Sequence, residues 1–389
     1  MSRRFLSHSA WAGAGLAVNG GSQLAVVTLL ARFTDPVSLG AYGFAVAIAT
    51  PVFVFSHFGQ RTLMVNGADL HAPLAAHLRV RMVTGLAAFV CALAIGGILG
   101  GATVLPMLAC ACLARFSDSL IDARQGDFQR AERMDLAGVA MVRQGLVSFV
   151  AFAAVVAWTR AAVPSVLAFA LTRFGMSAFP IPGRGALAPM RPGLPLAVAA
   201  ALILLCQGLP RLLIEQLAGL RSLGIFAAIS SLEMAGSIVI AGAAQVAAPK
   251  LAARHRSGDE AGFRKWLLRL SGLALAVGLG CVTLGFVAGE KILSLLFGPI
   301  YSGETMAFIV LLIAAAINYL NIVLRVGVSA RLLIRVQPYV QLTALAVGIP
   351  AGWWLVGRYQ ILGAAWTSVV IAVSQLVCLL ALLRREATA

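Results

Sequence analysis

The chain has 389 residues, of which 60% are hydrophobic and only 11% charged, and it carries a formal net charge of +16. A soluble domain holds roughly a quarter charged residues. A chain of this size cannot hide so much apolar surface from water, so lipid is its solvent. The basic residues are scattered between apolar spans rather than clustered with aromatics on one polar face, which argues against nucleic acid as a partner.

The chain opens on Met1-Ser2-Arg3-Arg4, which faintly resembles a twin-arginine export signal. A cleaved signal does not fit, because the following apolar run is as long as a spanning helix and many more spans come after it. Arg3 and Arg4 read as a cytoplasmic anchor. A span needs about twenty mostly apolar residues, and an open sheet cannot satisfy its backbone in lipid, so the chain is expected to be an all-α polytopic membrane protein. Twelve spans are predicted, at about 8–31, 39–59, 80–99, 102–121, 136–158, 162–180, 194–214, 223–246, 266–288, 304–325, 337–356 and 361–383. They divide into six N-terminal spans (1–180), a linker (181–193) and six C-terminal spans (194–389). With both termini inside, nearly all Lys and Arg fall in cytoplasmic segments; the outer ones hold only Arg32, Arg160, Arg221, Lys291 and Arg358, with Arg173 and Arg211 left within spans. No loop is long enough for a catalytic domain outside the membrane.

The stretch Ser22–Gly40, SQLAVVTLLARFTDPVSLG, recurs as Cys206–Gly224, CQGLPRLLIEQLAGLRSLG, without a gap. Gln23 falls on Gln207, and Ser38-Leu39-Gly40 on Ser222-Leu223-Gly224. An internal repeat in a polytopic chain points to two halves built alike, and to a transporter whose site lies between them.

No enzyme signature is present. The five histidines lack metal spacing, and there is no Walker loop, no GxGxxG and no nucleophile elbow. No cofactor and no metal are expected. The six cysteines all sit in apolar runs and read as small buried side chains. What remains are polar residues in or beside spans, which are costly in lipid and so candidates for function. In the first half these are Asn19, Gln23 and His57, with Gln60, Arg61 and Asn66 just past the second span. Arg115 and Asp118 are three apart, share a helix face and can pair. In the second half, Gln207, Arg211 and Glu215 form one stripe, and Asn318, Asn321 and Arg325 another, with Glu233 and Gln245 besides. Such stripes suit a water-filled cavity, where an arginine holds a phosphate or pyrophosphate; they also suit polar packing between helices, or snorkelling near span ends. Glu215 could neutralise Arg211 one turn away, and Asp118, Glu215 and Glu233 are candidates for ion coupling. The mixed-sign run Arg124–Arg133 reads as a solvated connector.

Several motifs carry a resemblance. Ala31-Arg32-Phe33-Thr34-Asp35-Pro36-Val37-Ser38-Leu39-Gly40-Ala41-Tyr42 resembles the A-R-x-L-G-P-x-x-F-G-x-Y opening of the polysaccharide and O-antigen flippases, within the multidrug/oligosaccharidyl-lipid/polysaccharide exporter superfamily. Gln125–Arg133, Ala247–Ala252, Leu296–Tyr301 and Gly363–Thr367 are similar to later motifs of that family, in the same order. Thr34-Asp35 departs from the family's L-G, and Gln125 stands where the connector has an arginine. The resemblance implies an N-terminal and a C-terminal six-helix bundle around a central cavity, working by alternating access in a bacterial inner membrane. It implies a cargo of oligosaccharide on polyprenyl pyrophosphate, for O-antigen or exopolysaccharide, and polysaccharide polymerase and chain-length machinery as partners beside the membrane lipids. The first span lacks the carboxylate of many drug antiporters, which lowers the rival reading as a cation-coupled exporter of small amphiphiles or drugs. A membrane polymerase or ligase would need a sizeable outer loop, and none is visible.

Overall fold

A computed structural model describes residues 3–65, 72–177, 187–331 and 336–388. Asn66, His71, Arg184 and Arg335 lie outside the described residues. All the regular structure described is helical: α1 (Arg3–Phe33), α2 (Pro36–Ser56), α3 (Gln60–Val65), α4 (Leu74–Gly100), α5 (Leu105–Arg130), α6 (Met134–Thr159), α7 (Ala162–Ser177), α8 (Leu194–Ser231), α9 (Glu233–Arg256), α10 (Glu260–Phe297), α11 (Thr305–Ala330) and α12 (Gln337–Thr388).

Among the described residues, 10 helical stretches are long and apolar enough to cross a membrane, and Ala162–Ser177 is a shorter apolar helix. Two of the long ones are broken. α8 carries a non-helical Gly219 and α12 a non-helical Gln360. With these breaks most helices fall near the expected spans, but the eighth, expected at 223–246, straddles the boundary between α8 and α9 at Leu232, and α5 and α10 run past their expected ends; the all-α polytopic class stands.

The repeat has a structural counterpart. Asp35, in the first copy, is the extended residue between α1 and α2. Its counterpart in the second copy is Gly219, the residue that breaks α8. Asp35 caps α2 by accepting from the Ser38 amide (2.9 Å) and hydroxyl (2.7 Å), with Pro36 opening the helix. Gly219 breaks the chain at φ 79°, ψ 175°, a conformation open essentially to glycine alone. One copy therefore turns by a cap and the other by a glycine.

The chain forms two compact units, Met1–Gly208 and Leu209–Ala389. Their boundary lies inside α8, beyond the 181–193 connector where the sequence places the linker. The start of α8 belongs with the first unit because it packs there: the α2–α3 turn at Gly59 sits against Leu196, and Gly208 sits against Ala47. In the first unit α5 is central and packs on α2, α3, α4 and α7, while α1 lies along α6. In the second unit α11 is central and packs on α9, α10 and α12.

Candidate functional site

α5 begins with Pro106 in its first turn and buries Met107, Leu108, Cys112 and Phe116. It continues well past the expected end at 121, to Arg130. That extension corrects the reading of Arg124–Arg133 as a solvated connector: Gln125 and Gly126 are buried, and only Ala131–Arg133 separate α5 from α6. The physical cause is a continuous polar stripe. Arg115, Asp118, Asp122, Gln125 and Gln129 alternate by three and four, and so lie on one face of α5. Neighbouring helices supply the opposite charges.

Two carboxylates organise the stripe. Asp118 accepts from Arg173 of α7 (2.6 Å), from Gln144 of α6 (2.8 Å) and from Arg115 one turn away (3.2 Å). Arg173 is 1% exposed, donates also to Asn19 of α1 (2.9 Å), and lies over the Phe169 ring. Asn19 reaches this point because α1 and α6 meet closely: a Cβ on Gly145 would lie 3.1 Å from the Asn19 Cα. Asp122 accepts from Arg61 of α3 (2.9 Å) and from Arg81 of α4 (2.8 Å). Arg61 also donates to Gln129 (3.3 Å), and Arg81 to Ser119 (3.4 Å).

Among the described residues, four guanidinium groups (Arg61, Arg81, Arg115 and Arg173) thus face two carboxylates, which leaves a surplus of positive charge in the first unit. Part of this network lines a small cleft, together with Gln23, Tyr42 and Phe169: Arg115, Asp118 and Arg173 face it. Arg115 is part-exposed in it. Among the described residues one of its five N–H donors is committed, to Asp118, and the others can grip an oxyanion.

The second unit is arranged differently. Arg211 donates to Ser230 (3.1 Å), and its charge also acts on Glu233. Glu233 accepts from Asn318 (3.1 Å), while the Tyr319 hydroxyl donates to the Glu233 carbonyl (3.1 Å). Glu215 accepts from its neighbour Gln216 (2.7 Å), so the carboxylate that acts on Arg211 is Glu233, on the next helix. Asn321 turns away from Asn318. It is fully buried and donates to the Ala372 carbonyl (2.9 Å), beside a Gln375–Gln341 pair (2.7 Å). It ties α11 to the second arm of α12, whose Gln375 in turn bonds Gln341 of the first arm, as polar packing. Arg325 is part-buried, and Gln207 and Gln245 are exposed.

The structure therefore gathers Gln23, Arg115 and Asp118 in one cleft. It commits Arg61 to α5, and it splits the stripe on α11. Sequence reasoning missed Asp122, Arg81 and Gln144, and left Arg173 without a role. The three-and-four spacing from Arg115 to Gln129 was the available signal, hidden by ending the fourth span too early.

No protein-family model matches the chain. It is similar to a capsular polysaccharide biosynthesis protein, CapF, of Staphylococcus aureus, at 24% identity over 374 residues, covering 91% of this chain and 92% of that one. Among solved structures it is similar to a multidrug resistance MATE family transporter of the MOP superfamily in an inward-facing conformation (15% identity, TM-score 0.67, 98% of this chain and 94% of that one). It is similar too to a MOP superfamily transporter from Pyrococcus furiosus, whose structure is described as having a binding pocket of reversed polarity (14% identity, TM-score 0.66, 96% and 92%). The fold is that of these membrane transporters.

Proposed function

We propose that the protein is a flippase that carries an oligosaccharide linked to polyprenyl pyrophosphate from the cytoplasmic to the outer leaflet of a bacterial inner membrane, by alternating access. The observation that carries this reading is the surplus of guanidinium over carboxylate along α5, which opens through Arg115 into the Gln23–Tyr42 cleft. A buried surplus of positive charge favours an anionic cargo and disfavours a cationic one, because charge is weakly screened away from water. A pyrophosphate supplies that anion, Gln23 and Tyr42 offer hydrogen bonds to a polar head, and the polyprenyl chain stays in the bilayer. The similarity to a capsular polysaccharide protein along nearly the whole chain supports the glycan.

Asp118 is placed to keep the site ready for release. It holds Arg115 and Arg173 in position, and it competes with the cargo for Arg115. With both termini inside, cargo enters from the face that carries most of the Lys and Arg.

The test is the location of lipid-linked oligosaccharide in a strain lacking the protein. In spheroplasts treated with an impermeant glycan-modifying reagent, the oligosaccharide is expected to be protected, on the cytoplasmic face. Restoration by wild type but not by Arg115→Ala, at equal membrane levels, ties the block to the cleft. Accessible oligosaccharide together with new sensitivity to cationic drugs would overturn the reading in favour of a drug exporter, the activity named for the MATE-family structure.

A further inference from the structure

α10 has 38 residues, about 57 Å at the usual rise, and so exceeds the roughly 30 Å hydrocarbon layer. Its first turns must leave the bilayer core. Those turns carry Arg264, Lys265 and Arg269, all exposed, around a shallow groove floored by Ala261 and Leu268. None of the three has an ion-pair partner among the described residues. The nearby carboxylates are already taken. Asp259 accepts from Arg254 and from the Gly262 amide, and Glu260 accepts from His255 and Arg331. Trp266 lies between the basic residues in sequence, with the Lys250 ammonium 5.0 Å above its ring. Lys, Arg and Trp together mark a helix crossing the headgroup layer. From Lys265 onward the same face continues through Leu268, Leu275 and Leu279, all exposed and apolar.

We propose that this end of α10 is a binding site for an anionic phospholipid. Its phosphate is held by Arg264, Lys265 and Arg269, and its acyl chains lie along Leu268, Leu275 and Leu279. A phosphate level with unpaired cations, directly above an apolar stripe, matches the two ends of a phospholipid. A free phosphate would use only the upper half. The site lies wholly in the second unit and does not depend on what the cleft of the first unit carries.

The experiment uses the full chain purified in mild detergent, with lipid retention read by native mass spectrometry after addition of phosphatidylglycerol or phosphatidylcholine. Wild type is expected to retain phosphatidylglycerol preferentially. At about fivefold per lost charge, the variant R264Q/K265Q/R269Q should weaken that retention on the order of a hundredfold. A charge-matched control, R160Q/K291Q/R358Q, should leave it unchanged. Leu275→Gln should weaken it without changing any charge, which separates a lipid from a bare anion. Should the triple variant fail to insert, K265Q and R269Q singly are expected to lose about fivefold each. Equal retention of both lipids by wild type, an equal loss in the control, or displacement of the lipid by inorganic phosphate would each overturn the site.

Discussion

α5 and α11 occupy matching places in their units. Each is 26 residues long, each follows a 3₁₀ turn, and each packs on most of the other helices of its unit. Their polar content is opposite. α5 carries a charged stripe that gathers arginines from α3, α4 and α7, whereas α11 presents Asn318 to a single carboxylate and buries Asn321 against a backbone carbonyl. In the second unit the charges described at this level, Arg211 and Glu233, offset each other. The difference teaches that similar folds in the two units do not require similar chemistry. Of two helix bundles in one chain, one can serve as a packed support while the other is loaded with charge.

The comparison breaks first, and with the largest effect, at Asp118. Replacing it by Ala leaves Arg173 buried and unpaired, and should cost about 3–5 kcal/mol, read as a fall in thermal stability in detergent. Its counterpart in the second unit, Asn318→Ala, removes one hydrogen bond to a carboxylate and should cost about 1.5–3 kcal/mol. Equal losses would remove the asymmetry. Gly145→Ala sharpens it from the packing side: a methyl against the Asn19 backbone should cost about 1–3 kcal/mol. That variant should also disturb the Asn19–Arg173 bond, so the double variant with Asn19→Ala should lose less than the sum of the two single losses.

The two breaks of the repeat give smaller effects. Gly219→Ala should cost about 1–3 kcal/mol, because its φ is positive. Asp35→Ala removes a cap and should cost about 1 kcal/mol. The Asp35 effect should also depend on pH. Burial pushes its carboxyl up, but bonds from the Ser38 hydroxyl and nearby amides outweigh this and hold it below the usual 3.8. A lowered value means the cap contributes fully above that pH and loses its contribution as pH falls through the folded value. The stability gap between wild type and Asp35→Ala should be constant at neutral pH and close below about pH 4.

Much of the candidate site was within reach of the sequence, one residue at a time. Gln23, Arg115 and Asp118 were legible as polar residues in apolar spans, and the Arg115–Asp118 pair followed from their spacing. Asp122 was not, because hydropathy falls near 121 and the span was closed there. Hydropathy cannot distinguish a helix that enters water from one whose polar face is paired inside a bundle. Arg173 stood alone in an apolar run, and nothing local to it names a partner.

What the sequence determined by itself is set by the solvent. Lipid demands apolar helices of a fixed length, so the spans, the all-α class and the recurring break at Asp35 and Gly219 are written in composition and order. What only the tertiary structure decided is the pairing of charge. Arg173 finds Asp118 across 55 positions and Asn19 across 154, and Arg61 finds Asp122 across 61. Ion pairs between helices depend on which faces pack together, and that is settled by close contacts such as Gly145 on Asn19, which the spacing of residues along one helix does not encode.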